Sequence, residues 1–155
     1  MRRADRQLTL QEARTVFSDA EFSVLSMLTP EGTPYAVPVN CVLDGDCVYF
    51  HSAREGLKNL CMHANPQVCL TAVEGGAFID TDKRTTFYRS AVIFGTVEEL
   101  TDEAERIAAL KALCLRFSPG NTRGFDTGFS SCAPETALWK VTVTEISGKG
   151  NKKEF

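Results

Sequence analysis

The chain has 155 residues, 43% hydrophobic and 24% charged, with a formal net charge of −3. That length suits one domain with a core of its own, and the weakly acidic balance gives nucleic acid no electrostatic footing as a partner. No run approaches the roughly 18 apolar residues of a membrane span, and the charged start MRRADRQLTL has no apolar signal core, so a cytoplasmic protein is expected.

Thr9-Leu10-Gln11-Glu12 has capping-box spacing and opens a predicted helix over 9–20, with Leu10, Ala13, Val16 and Phe17 on one face. Residues 21–29 read as a strand, Pro30-Glu31-Gly32-Thr33 as a turn, and 34–43 as a second strand. Asp44-Gly45 is a hairpin signal joining that strand to 46–51. A helix is predicted over 54–64, stopped by Asn65-Pro66, and a strand over 67–74. The glycine-rich stretch 74–85 reads as a loop. Residues 86–100 form a long β-run in which Gly95 marks a bend or bulge. A third helix is expected over 101–116, capped by Thr101 or Asp102, with Ile107, Leu110, Leu113 and Cys114 on its buried side. Residues 118–134 have no period and read as a long functional or partner-covered loop. A final strand spans 137–146, and the tail from 147, or 148, to 155 is expected to fray.

Six strands and three helices in one domain, 1–155, without repeat or linker, describe a mainly β chain with flanking helices. Antiparallel hairpins outnumber crossovers, which favours a small barrel over a doubly wound sheet. The six cysteines (Cys41, Cys47, Cys61, Cys69, Cys114 and Cys132) form no C-x-x-C pair, and His51 and His63 complete no zinc pattern. They read as buried reduced thiols, and no metal site is expected.

Chemistry concentrates in VYFHSAREGLKNLCMHANP, residues 48–66. His51 ends a strand, Ser52 offers a hydroxyl, the backbone from Ala53 to Gly56 offers N–H groups, and Lys58 adds a charge in the following helix. Such donors near a helix start suit a phosphate, although the P-loop pattern is absent. Each has a plain alternative: a structural histidine at a strand end and an exposed helix lysine. In Val37-Pro38-Val39-Asn40 the proline cannot donate to a ladder, so it marks an edge or bulge whose free backbone groups can meet a flat heterocycle. Ser90 is either a polar contact or an outward position. Trp139, the only tryptophan, is either core or a cover for a cofactor or interface, as Phe125 and Phe129 are on the long loop. No nucleophile–His–Asp triad and no acid/base carboxylate pair stands out.

In this order, MRRADRQLT, PYAVPVN, VYFHSAREGLKNLCMHANPQVC, YRSAVIFGTVEEL and WKVTVTEISGKG resemble the pyridoxamine 5′-phosphate oxidase-like FMN-binding split-barrel proteins. The chain looks most like their Nim branch, the nitroimidazole-resistance-related flavoproteins. The resemblance covers nearly the whole chain. It implies a six-stranded antiparallel split β-barrel with flanking helices, a homodimer, and FMN at the subunit interface. It implies that Val37, Pro38, Val39 and Asn40 line the flavin ring, that Ser52 and Lys58 hold the phosphate, and that His51 precedes them where the Nim branch carries histidine. Ser90 matches a polar position near the ring; Trp139 and Lys149 belong to a segment that approaches the partner's site.

Leu57 departs from the arginine that the oxidases usually place before the phosphate lysine, and their C-terminal substrate motif is not visible. Vitamin B6 oxidation is therefore not expected, whereas FMN binding is, with Arg54 or Arg89 available to replace the missing cation. The expected function is an FMN-dependent oxidoreductase acting on a small organic acceptor such as a nitro-aromatic compound. His51 would contact the substrate or donate a proton, roles that suit an imidazole. The alternatives are a haem-binding split barrel with His51 on iron and a non-catalytic flavin-binding protein.

Overall fold

The structure is a computed structural model; it describes residues 3–82, 84–120 and 136–151, with the backbone alone at 75–78. After a short 3-10 turn (Ala4–Arg6) come α1 (Leu10–Asp19), β1 (Ser23–Leu28), β2 (Pro34–Val39), β3 (Cys41–Asp44) and β4 (Cys47–Ala53). Then follow α2 (Leu57–Ala64), β5 (Gln67–Asp80), β6 (Thr85–Glu99), α3 (Glu103–Phe117) and β7 (Thr136–Asn151). All strand pairs are antiparallel, in the order β2-β1-β5-β6-β7-β4-β3.

The two edge strands, β2 and β3, are neighbours in sequence, separated by Asn40 alone. The chain leaves one edge of the sheet and becomes the other within one residue. The sheet is therefore curled into a split barrel. The expected single strand over 34–43 is two strands bent at Asn40, whose side-chain amide donates to the Glu21 carbonyl at 3.2 Å. Six runs of chain thus make seven strands. Pro38 faces outward opposite Val24 on edge strand β2, where its missing N–H interrupts no inner ladder.

Local signals explain the element ends. The Thr9 hydroxyl accepts from the Glu12 N–H at 3.2 Å and Glu12 accepts from the Thr9 N–H at 2.8 Å, a complete capping box. Asp102 caps α3 by accepting from the Glu105 N–H at 2.9 Å. Gly56, with φ +125°, is the N-cap of α2, so that helix starts at Leu57 rather than 54. The register of β6 against β7 shifts between Phe94 and Gly95, where a Cβ on Gly95 would lie 2.5 Å from the Thr142 carbonyl oxygen.

Two expectations are corrected. The stretch 74–85 is not a loop, because β5 runs on to Asp80 and pairs with β6. The Gly75-Gly76 region is taken up as a register shift between Glu74 and Phe78, so glycines that read locally as a loop serve as a bulge. Nor does the chain fray at 147 or 148: Gly148, Lys149, Gly150 and Asn151 pair with β6. Gly148 lets α1 close on the sheet, since a Cβ there would come within 2.7 Å of Ala13 Cβ. Residues 121–135, including Phe125, Phe129 and Cys132, and residues 152–155 lie outside the described residues.

Val16 and Phe17 of α1 pack into the barrel with Leu25, Val48, Phe50, Leu70, Ile93, Trp139 and Val141. Each large side chain so buried contributes about 1.5–3 kcal/mol of transfer free energy. A second cluster, Leu100, Ala109, Leu113 and Leu138, lies between α3 and the outside of the sheet. Leu10 is 60% exposed, so the buried face of α1 begins at Ala13. On α3 the fully buried positions are Arg106, Ala109 and Leu113; the others expected there are half-buried. Arg106 donates to the carbonyls of Leu100 and Thr136 at 3.1 and 2.9 Å, fastening the helix to both neighbouring strand ends.

Candidate functional site

Strand β4 alternates, with Phe50 and Ser52 buried and His51 and Ala53 exposed. His51 and Ser52, expected to serve one ligand together, therefore face opposite sides of the sheet. The Ser52 hydroxyl accepts from the Trp139 indole N–H at 3.0 Å. Its hydrogen has two acceptors in reach, the Ala53 carbonyl at 2.8 Å and Asn59 Oδ1 at 3.1 Å. Asn59, 4% exposed, also donates to the Ala53 carbonyl at 2.7 Å. These bonds tie the end of β4, the first turn of α2 and β7 into one buried polar network. Trp139 is inside the barrel, stacked on Phe50 with ring centroids 6.4 Å apart.

Lys58 lies in the first turn of α2, one residue before Asn59. It is half-buried, burial alone pushes its pKa below the ordinary lysine value, and no carboxylate among the described residues pairs with it. Gly56 offers the helix no side-chain cap; its carbonyl accepts from the Asn59 and Leu60 N–H groups at 3.1 and 3.2 Å, and the N–H groups of Leu57 and Lys58 ahead of them have no acceptor within the helix itself. Close by in sequence, Arg54 approaches Glu99 at 3.6 Å. His63 approaches the other oxygen of that carboxylate at 3.5 Å, its ring 5.1 Å from that of Trp139. Glu99 is the β-partner of Trp139, so basic groups and one acid gather at this end of the barrel.

The remaining expected residues fall into two further groups. Asn40 and His51 line a cavity of about 420 Å³ with Leu110, Leu113, Cys114 and Phe117 of α3. It is a mostly apolar recess into which Asn40, His51, Ser118 and Thr136 bring polar atoms, the usual composition of a small-molecule pocket. Ser90 and Lys149 are partners across β6 and β7, and the Ser90 hydroxyl donates to the Lys149 carbonyl at 3.3 Å. Both lie on the face opposite buried Ala91 and Gly148, as does Val73, which is 51% exposed. Of Val37, Pro38 and Val39, the valines pack inward and the proline faces out.

Sequence reasoning missed Asn59, His63 and Glu99. The spacing of four between Asn59 and His63 puts both on one helix face, a readable signal that they sit near each other, although Asn59 is buried and His63 exposed. Glu99 carried none, because its importance comes from the register of β6 against β7. Among the described residues no cluster of three metal-ligating side chains occurs, and no helix is long and apolar enough to cross a membrane.

A family model described as pyridoxamine 5′-phosphate oxidase matches residues 9–150. Comparison with curated proteins gives no match. Among solved structures, the chain is similar to a candidate 5-nitroimidazole antibiotic resistance protein from Bacteroides thetaiotaomicron. The TM-score is 0.80 at 25% identity, covering 94% of this chain and 90% of that one. A flavocytochrome from Azotobacter vinelandii matches at TM-score 0.82 and 22% identity over 99% and 72% of the two chains. An FAD-binding protein from Mesorhizobium loti matches at 0.68 and 23% over 95% and 98%. The last two likenesses speak for the fold.

Proposed function

This chain belongs to the pyridoxamine 5′-phosphate oxidase family, and from that premise we propose that it is an FMN-dependent oxidoreductase, active as a homodimer, that reduces a small organic acceptor such as a nitro-aromatic compound. The observation that carries the reading is Lys58. A half-buried ammonium without a carboxylate partner among the described residues is a ready counter-charge for an anion at the start of α2. A flavin phosphate fits that donor set: the Lys58 charge, the N–H groups of Leu57 and Lys58 and the Ser52 hydroxyl, which exchanges an internal acceptor for the ligand.

When bound, FMN supplies the redox chemistry at its ring. The chain's own residues do the rest. Lys58 and Ser52 anchor the phosphate, and Trp139 acts through Ser52 by fixing the hydroxyl. His51 and Asn40 present polar atoms to an apolar recess, where His51 contacts the acceptor or gives it a proton. Ser90 and Lys149 occupy a different face of the same chain, and a second copy is what unites the groups into one site. In support of that dimer, the outer face exposes Phe22, Val73 and Phe94 at 55%, 51% and 46%. Likeness to a nitroimidazole resistance protein favours the nitro-aromatic class of acceptor.

The test has three parts. Chromophore released by heat should have the mass of FMN. Light scattering should give twice the chain mass. His51→Ala should keep its flavin and lose turnover. Unchanged turnover in that variant would remove His51 from the chemistry, and a monomer at micromolar concentration would remove the interface site. Haem ligation by His51 is the second reading, favoured by likeness to a flavocytochrome; a Soret band in place of flavin absorption would establish it.

A further inference from the structure

Helix α3 carries two stripes. Ala109 and Leu113 join Leu100 and Leu138 in the cluster that seats the helix on the sheet, and Arg106 fastens it to two strand ends. Leu110, Cys114 and Phe117, spaced four and three, form the adjoining stripe, and all three line the recess that holds Asn40 and His51. The wall of the recess is therefore firm, while Cys114 and Phe117 belong to neither core cluster. Phe117 is 41% exposed, which puts it at the mouth. The Arg116 guanidinium lies 5.0 Å from its ring centroid and donates to the Ala20 carbonyl at 2.5 Å, so the ring is backed by a fixed cation. Cys114, a free and half-buried thiol, has the smallest side chain of the three. The stripe is thus notched between Leu110 and Phe117.

We infer that this stripe makes the recess selective for a neutral, single-ring acceptor, its ring seated in the notch over Cys114 and its polar group turned toward His51 and Asn40. This rests on the oxidoreductase reading above. At about 420 Å³ the cavity lies toward the lower end of the roughly 300–1,000 Å³ spanned by small-molecule pockets, which suits one ring better than a fused pair. No lining residue is a lysine, an arginine or a carboxylate, so a charged acceptor would lose hydration there without gaining an opposite charge. Selection among neutral acceptors is then by shape, and the width of the notch is set by Leu110, Cys114 and Phe117.

Two measurements on the full-length protein test this. In the first, methyl methanethiosulfonate labels the native thiols with and without nitrobenzene, and peptide masses give the rate at each cysteine. Nitrobenzene should slow labelling of Cys114 severalfold and leave Cys47, half-buried but not in the recess, unchanged. In the second, photoreduced flavoprotein is mixed without oxygen with nitrobenzene, 1-nitronaphthalene or 4-nitrobenzoate, and flavin reoxidation is followed. Nitrobenzene should react fastest. Cys114→Leu, which fills the notch, should lower the second-order rate constant for nitrobenzene by about tenfold or more at unchanged flavin content. Phe117→Ala, which widens the mouth, should bring 1-nitronaphthalene closer to nitrobenzene by a similar factor. Absence of protection at Cys114 would overturn the inference, as would a Cys114→Leu protein as fast as wild type or 4-nitrobenzoate reacting as fast as nitrobenzene. Protection of Cys114 in a protein that carries no flavin would uphold the single-ring recess and overturn the oxidoreductase reading instead.

Discussion

Ser52→Ala tests whether the barrel end is held by one hydroxyl. The substitution removes the acceptor of the Trp139 N–H, on a residue 1% exposed, and a donor to Asn59 Oδ1 or the Ala53 carbonyl. A buried donor left without a partner costs about 1–3 kcal/mol, and the weakened Asn59 contact adds about 1 kcal/mol. The expected loss is about 2–4 kcal/mol in the flavin-stripped protein. For a chain of this size each kcal/mol lowers Tm by about 2–4 °C, so the melt should move down by about 4–16 °C. Urea unfolding followed by far-UV circular dichroism measures it. In a Trp139→Phe background, where the N–H is already gone, Ser52→Ala should cost about 1–3 kcal/mol less, leaving about 1 kcal/mol from the Asn59 contact. A loss below about 0.5 kcal/mol, or strict additivity of the two substitutions, would refute the network as a source of stability. Stability must be measured without flavin, because a ligand that binds the folded state would mask the structural effect.

Lys58→Met should lower FMN affinity by about tenfold and leave riboflavin affinity unchanged; equal losses for both flavins would refute phosphate contact. Burial lowers the Lys58 pKa below 10.5, so the unfolded chain holds its proton more tightly. This lysine's contribution to stability of the stripped protein therefore rises as pH climbs through the folded pKa toward 10.5, and Lys58→Met should remove that part of the slope in pH-dependent melts. Gly148→Ala puts a methyl 2.7 Å from Ala13 Cβ and 3.0 Å from Leu8 Cβ; α1 must shift, at about 1–3 kcal/mol, and an unchanged Tm would contradict that packing. Cys41 and Cys61 are 4% and 0% exposed, with thiol pKa raised by burial, so a thiol reagent at pH 8 should modify them only after unfolding. Mass mapping of modified peptides checks this, and rapid native labelling of Cys61 would contradict it.

What the sequence made legible was local. Thr9 with Glu12, Asp44-Gly45 and Gly95 each act within a few residues, and each does in the structure what its chemistry dictates. What it hid depends on distant partners. Gly75-Gly76 reads as a loop until β6 is there to pair with it, and the bend at Asn40 has meaning only once β2 and β3 are opposite edges of one sheet. The residues around Ser52 were recognisable as a group, yet the partner that fixes its hydroxyl, Trp139, lies 87 residues away and arrives through strand register.

The alternation of β4 also separates two kinds of constraint that adjacent residues would otherwise share. Ser52 looks inward, so changing it disturbs Trp139, Asn59 and the start of α2 together, and a phosphate anchor built on it is as rigid as the core. His51 looks outward, beside buried Leu138 on β7 but with its own ring exposed to the recess under α3. It can change without loss of a core contact. In the proposed enzyme, cofactor anchoring is thus coupled to folding and acceptor chemistry is not. Substitutions at His51 should therefore alter which acceptors are reduced at nearly constant stability, whereas substitutions at Ser52 cannot change cofactor binding without also changing stability.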